Sequence, residues 1–129
     1  MKISLLVLSE PYSSQSSLSA LQYAKAAISL GYSIERVFFY HNGVHTGSSL
    51  QTPQQDEINL HNEWATLTKT SNIDLVICIA AALKRGNLNQ EESNRYDKAQ
   101  FNIEAPFELS GLGQLLDAQL NSDKLITFG

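Results

Sequence analysis

The stretch Asp74-Leu75-Val76-Ile77-Cys78-Ile79-Ala80-Ala81-Ala82-Leu83-Lys84-Arg85-Gly86 changes its structural preference halfway along. Asp74 to Ile79 is short, apolar and rich in branched residues, the pattern of a strand covered on both faces. Ala80 to Leu83 are strong helix formers, and Gly86 behind Lys84-Arg85 is a natural helix stop. A strand that passes directly into a helix is the joint from which parallel α/β sheets are built.

The same alternation extends in both directions. Upstream, Ile3 to Leu8 is a nearly continuous apolar run closed by Ser9-Glu10-Pro11, which predicts a first strand. The serines of Ser13 to Ser19 offer N-caps, and Ala20, Leu21, Ala24, Ala27 and Ile28 then recur at helical spacing as far as Gly31. Ile34 to Tyr40 reads as a second strand ending at Asn42-Gly43. Leu60, Trp64 and Leu67 predict a second helix over about Asp56 to Lys69, with Thr52-Pro53-Gln54-Gln55 as a possible capping box before it.

Downstream, Asn89 to Gln100 is polar and reads as a surface helix or lid. Ser110 is a candidate N-cap for a last helix in which Leu112, Leu115, Leu116 and Leu120 form one stripe, and Lys124 to Phe128 predicts a final strand. The expectation is one α/β domain over residues 1–129, a parallel sheet with helices on both faces joined by right-handed crossovers.

Composition narrows the function classes. The 129 residues suit a single domain, and 43% hydrophobic with 17% charged residues is a globular balance. Nine basic against thirteen acidic residues give a net charge of -4, the wrong sign for neutralising many phosphates, so direct nucleic-acid binding is not expected. The opening apolar run is too short for a membrane span or a secretory signal, and one cysteine cannot form an internal disulfide. A reduced thiol in the cytoplasm is the simplest expectation.

In open parallel sheets, sites gather where strands end and helices begin. Three loops qualify: Ser9-Glu10-Pro11-Tyr12, His41-Asn42-Gly43 and the region around Cys78. Cys78 stands at the strand-to-helix joint, where free backbone N–H groups favour a thiolate, with Lys84 and Arg85 close in sequence. Free cysteine is also among the most buried residue types, so spacing alone leaves inert packing as the commoner reading. His41 and His45 have no evident third ligand, which favours surface histidines over a metal site; His61 is expected on the polar face of its helix. No CxxC, HExxH, P-loop or dinucleotide glycine pattern occurs. Ser110-Gly111-Leu112-Gly113 is more simply a tight helix entry than an anion cradle.

Several segments together resemble the DsrE/TusD family of sulfurtransferase subunits. They are Pro11-Tyr12; Phe38-Phe39-Tyr40 with Gly43-Val44; Ile77 to Leu83 with Arg85-Gly86; and Leu109-Ser110-Gly111-Leu112-Gly113. Each alone is common, but their order and spacing span nearly the whole chain. Ser9-Glu10 and His41 depart from what relatives commonly carry in the first two loops.

The resemblance implies a flavodoxin-like sandwich whose active cysteine is Cys78. It implies a persulfide carrier that accepts sulfane sulfur from a TusA-like donor and passes it to a TusE-like acceptor, without metal or organic cofactor. It further implies a heterohexamer with homologous TusB-like and TusC-like subunits, serving either 2-thiolation of the tRNA wobble uridine or, in the Dsr branch, sulfur oxidation. On this reading Ala80, Ala81, Lys84 and Arg85 are candidates for thiolate stabilisation or partner docking. Glu10, Tyr12, His41 and Ser110 are candidates for the pocket rim, with Asn87 to Gln100 as a mobile border. The competing readings are a small-anion-binding module built on Ser9 to Tyr12 and Ser110 to Gly113, and a scaffold in which Cys78 is simply buried.

Overall fold

The computed structural model describes all residues 1–129. Five strands, β1 (Lys2–Val7), β2 (Ser33–Phe39), β3 (Asp74–Cys78), β4 (Phe107–Ser110) and β5 (Lys124–Phe128), form one sheet in the order β4-β3-β2-β1-β5. Every pairing is parallel. Helices α1 (Ser16–Ser29), α2 (Leu60–Ser71), α3 (Ile79–Leu83), α4 (Gln90–Arg95) and α5 (Gly113–Asn121) lie in the connections, and a 3-10 segment, His41–Gly47, follows β2.

Strand alternation assigns the two faces. Phe39 of β2 meets Trp64 of α2 edge-on at 5.9 Å, so this face carries α2, with α1 packed beside it. Ala20, Ala24 and Ala27 are buried there, their small side chains letting α1 lie close to the sheet. Arg36, of opposite parity to Phe39, points to the other face and reaches α5. Because β4 and β5 are opposite edges, α5 must cross the sheet, and it packs over β1, β2 and β5. One face therefore carries two long helices and the other a single nine-residue helix.

The structure differs from the sequence expectations in four places. Phe107–Ser110 is a strand, and Ser110 ends it rather than capping α5; four residues behind Pro106 give too little periodicity to recognise. α2 begins at Leu60 with Asn59 as its side-chain cap, so the Thr52-Pro53 signal caps no helix. The loop after β2 is wound into the 3-10 segment. The leucines of α5 do not form one buried stripe: Leu115 packs against the core, whereas Leu112, Leu116 and Leu120 are 51%, 57% and 74% exposed.

Arg36 clamps α5 to the sheet. Its guanidinium donates to the Gln114 carbonyl at 3.0 Å, to Asp117 at 2.9 Å and to Asp74 at 3.0 Å. Burial lowers its pKa, but the hydrogen bonds to Asp74 and Asp117 and their charges outweigh burial and hold it above the ordinary arginine value. A raised folded-state pKa contributes stability that is complete below the unfolded value and lost only as pH rises through the folded one. The clamp is therefore constant through the neutral range.

Two substitutions test these contacts. Arg36→Ala should lower the unfolding free energy by about 1–2 kcal/mol in urea titration, since charged hydrogen bonds are lost but both carboxylates are more than half exposed. At Gly43 a Cβ would lie 2.3 Å from the Val7 carbonyl oxygen, a backbone atom at the end of β1. Gly43→Ala should cost about 1–3 kcal/mol in the same titration, because the 3-10 segment must shift to accommodate it.

Candidate active site

Cys78 is the last residue of β3 and immediately precedes α3. It shares the parity of Val76, which pairs with Phe38, so its side chain lies on the face covered only by α5. A cleft of about 320 Å³ opens beside it, bordered by Tyr40, His41, Ala80, Lys84, Gly111 and Leu112. The thiol is free, and the residue is only 2% exposed.

Each border has a local cause. His41 sits at φ 48°, a left-handed conformation, and its ring stacks on Tyr40 with centroids 4.3 Å apart. Arg85, also at the cleft, donates through Nε to Asn42 Oδ1 at 2.9 Å and through Nη1 to the Ala81 carbonyl at 3.0 Å, tying α3 to the 3-10 segment. Lys84 is exposed and takes part in no ion pair, leaving its ammonium available to an anion in the cleft.

The sequence-derived candidates divide. Cys78, Ala80, Ala81, Lys84, Arg85 and His41 meet at one cleft. Ser110 pairs with Cys78 in the β3–β4 register and leads into Gly111. Glu10 and Tyr12 line other grooves instead, at the carboxyl end of β1. Tyr12 is a strut: its hydroxyl donates to the Ile58 carbonyl and accepts from the Leu60 N–H, both at 3.1 Å. The groove beside it is larger, about 460 Å³, but holds no thiol or imidazole.

Asn87 to Gln100, expected as a mobile border, does not line the cleft. A buried polar relay holds the base of this segment. The Leu88 N–H donates to Asn102 Oδ1, Asn102 Nδ2 donates to Asn87 Oδ1 and to Ser48, and Asn87 Nδ2 reaches His45 Nδ1 at 3.1 Å. The backbone amide fixes each side-chain amide in turn, so His45 Nδ1 must accept and its proton sits on Nε2. His61 is not on a polar face: its ring stacks on Phe107 at 4.7 Å and Nδ1 donates to the Thr46 carbonyl. His41 and His45 face different partners, and no three His, Cys, Asp or Glu side chains converge as metal ligands.

Sequence reasoning missed Tyr40, Gly111 and Leu112 as borders of this cleft. The strand-two and glycine segments contained them, but only the pairing of β4 with β3, which sets Ser110 opposite Cys78, brings Gly111 and Leu112 to the cleft.

The fold is a parallel α/β domain whose only thiol lies at the carboxyl edge of the sheet, in a cleft that Lys84 also borders. Comparison with known proteins gives its family. Residues 1–128 match the DsrE/DsrF-like family, and the chain belongs to that family. It is 45% identical over its whole length to a putative sulfurtransferase DsrE of Allochromatium vinosum, covering 99% of that relative. It is 44% identical over 96% of its length to a sulfurtransferase TusD homolog of Pseudomonas aeruginosa, covering 95% of it. To the sulfurtransferase TusD of Enterobacter sp. it is 38% identical over 99% of its length, covering all of it. The crystal structure of the ychN protein from E. coli shares the fold, with a TM-score of 0.75 over 99% of both chains at 20% identity. No helix is long and apolar enough to cross a membrane.

The cleft geometry predicts graded thiol access. Iodoacetamide should alkylate native Cys78 more slowly than the urea-unfolded chain, and a bulky maleimide more slowly still. Leu112→Ala should raise both native rates several-fold with little loss of stability, because Leu112 is half exposed. Intact-mass time courses give the rates, and equal native and unfolded rates would contradict the buried placement.

Proposed function

We propose that this chain carries sulfane sulfur as a persulfide on Cys78, taking it from a TusA-like donor and passing it to a TusE-like acceptor, for 2-thiolation of the tRNA wobble uridine. Sulfur transfer is supported by full-length relatives named sulfurtransferases, at 38% to 45% identity. The observation that carries the assignment to Cys78 is its position as the only cysteine, at the end of β3 in a cleft bordered by Lys84.

The chemistry is two thiolate displacements. The Cys78 thiolate attacks the outer sulfur of the donor persulfide, forming the new S–S bond and releasing the donor thiolate. The acceptor thiolate then attacks the outer sulfur on Cys78, forms its own persulfide and returns Cys78 as thiolate. Lys84 supplies positive potential to the anionic sulfur in both steps. A lone cysteine suits a carrier, since no neighbouring thiol can attack the inner sulfur and discharge sulfide. The buried thiol and the exposed Leu112, Leu116 and Leu120 favour work inside an assembly, with TusB-like and TusC-like subunits completing a heterohexamer.

A second reading, sulfur transfer during sulfur oxidation, is favoured by the 45% identity to the relative named DsrE. Both readings use the same displacement at Cys78. A bacterial strain lacking its own TusD separates them: restoration of 2-thiouridine by this chain supports the tRNA role, and failure by a soluble, donor-reactive chain supports the oxidation role.

Incubation with a persulfidated TusA-type donor should add one sulfur, about 32 Da, to the wild type and nothing to Cys78→Ser. A TusE-type acceptor should reverse the gain. No gain with an alkylatable thiol and the partner subunits present would overturn persulfide carriage in favour of a scaffold.

A further inference from the structure

β4 pairs with β3 alone, leaving its other side as a sheet edge. Glu108, Leu109 and Ser110 take part in no backbone hydrogen bond outside the β3 ladder. Such an edge is a template for another strand unless it is blunted. A groove of about 390 Å³ runs along it, floored by Ile103 and Phe107, with Phe101 38% exposed at its side. Its charged side chains are all acidic: Glu91, Glu104 and Glu108. Glu91 makes a loose 3.7 Å ion pair with exposed Arg95, whereas Glu104 and Glu108 have no cationic partner.

This edge leads to the thiol. Ser110 is in register with Cys78, and Gly111, the next residue, borders the Cys78 cleft. A Cβ placed on Gly111 would meet nothing within 4 Å, so the wall between edge and cleft is low there. Strands lie about 4.8 Å apart, which puts a segment outside β4 roughly 10 Å from β3. About three extended residues beyond its end span that distance.

We propose that the outer edge of β4 is the docking site for an extended, basic segment of a sulfur-exchanging partner protein, which adds as a sixth strand and delivers a thiol across Gly111 to Cys78. This rests on the persulfide reading for its purpose. Ladder hydrogen bonds supply affinity, Phe101 and Phe107 receive apolar side chains, and the three carboxylates select lysine or arginine over acidic sequences.

The test uses synthetic peptides of alternating lysine and valine, followed by a two-glycine spacer and a terminal cysteine activated as its mixed disulfide with thionitrobenzoate. Attack by Cys78 forms the protein–peptide disulfide and releases coloured thionitrobenzoate. At low salt this peptide should react roughly tenfold faster than its glutamate–valine counterpart. Glu104→Lys with Glu108→Lys should reverse the preference, while the rate with a hydroxyethyl mixed disulfide of the same leaving group stays unchanged. Backbone N-methylation at alternate positions, which preserves charge but removes ladder donors, should abolish the advantage.

Docking is also read without chemistry. In Cys78→Ser the lysine–valine peptide should shift the amide resonances of Phe107 to Ser110. An unreactive thiol with those shifts present would reject persulfide carriage and leave the docking site standing. No shifts, or an advantage that survives N-methylation, would overturn strand addition. A changed oligomeric state in the double lysine variant, with no change in peptide rates, would give the edge to a sister chain instead.

Discussion

Parallel pairing constrains this molecule more than any single contact. When all five strands run the same way, every carboxyl end lies on one edge of the sheet, and each connection must travel back across a face before the next strand begins. The residue that ends a strand is therefore delivered to the same rim as the loops that follow its neighbours. Cys78 is such a residue, and the segments following β2 and β4 meet it there.

The crossovers do not share the two faces equally. Three connections step between adjacent strands, while α5 alone crosses from one edge of the sheet to the other. Its path is secured by Arg36, whose guanidinium joins the helix to β2 and β3 through Asp117, the Gln114 carbonyl and Asp74. A short helix over one face leaves room beside the end of β3, and this room is the cleft. The same arrangement leaves Leu112, Leu116 and Leu120 in solvent, an apolar ridge that starts at the cleft and runs along α5.

Rigidity around the thiol comes from polar groups. The relay from the Leu88 amide through Asn102 and Asn87 to His45 joins the segment before β4 to the segment after β2. Arg85 makes a second tie, from α3 to Asn42. Buried amides satisfied in this way hold one arrangement, because breaking any link strands a donor or acceptor away from water. The cleft is thus bordered on the β2 side by pinned loops, and on the β4 side by Gly111-Leu112, where a Cβ on Gly111 would meet nothing within 4 Å.

The sequence by itself determined the parallel α/β class, four of the five strands and the position of Cys78 at a strand-to-helix joint. These follow from local period and composition, which act over a few residues. The family resemblance, carried by short segments around the same joints, was legible for the same reason. β4 was not, because four residues behind a proline carry no period and are made a strand by the edge of β3. Nor were the inward turn of His61, the strut role of Tyr12 or the exposure of three α5 leucines. Each depends on a partner at least 30 residues away in the chain or on which face a helix crosses, and only tertiary packing decides that.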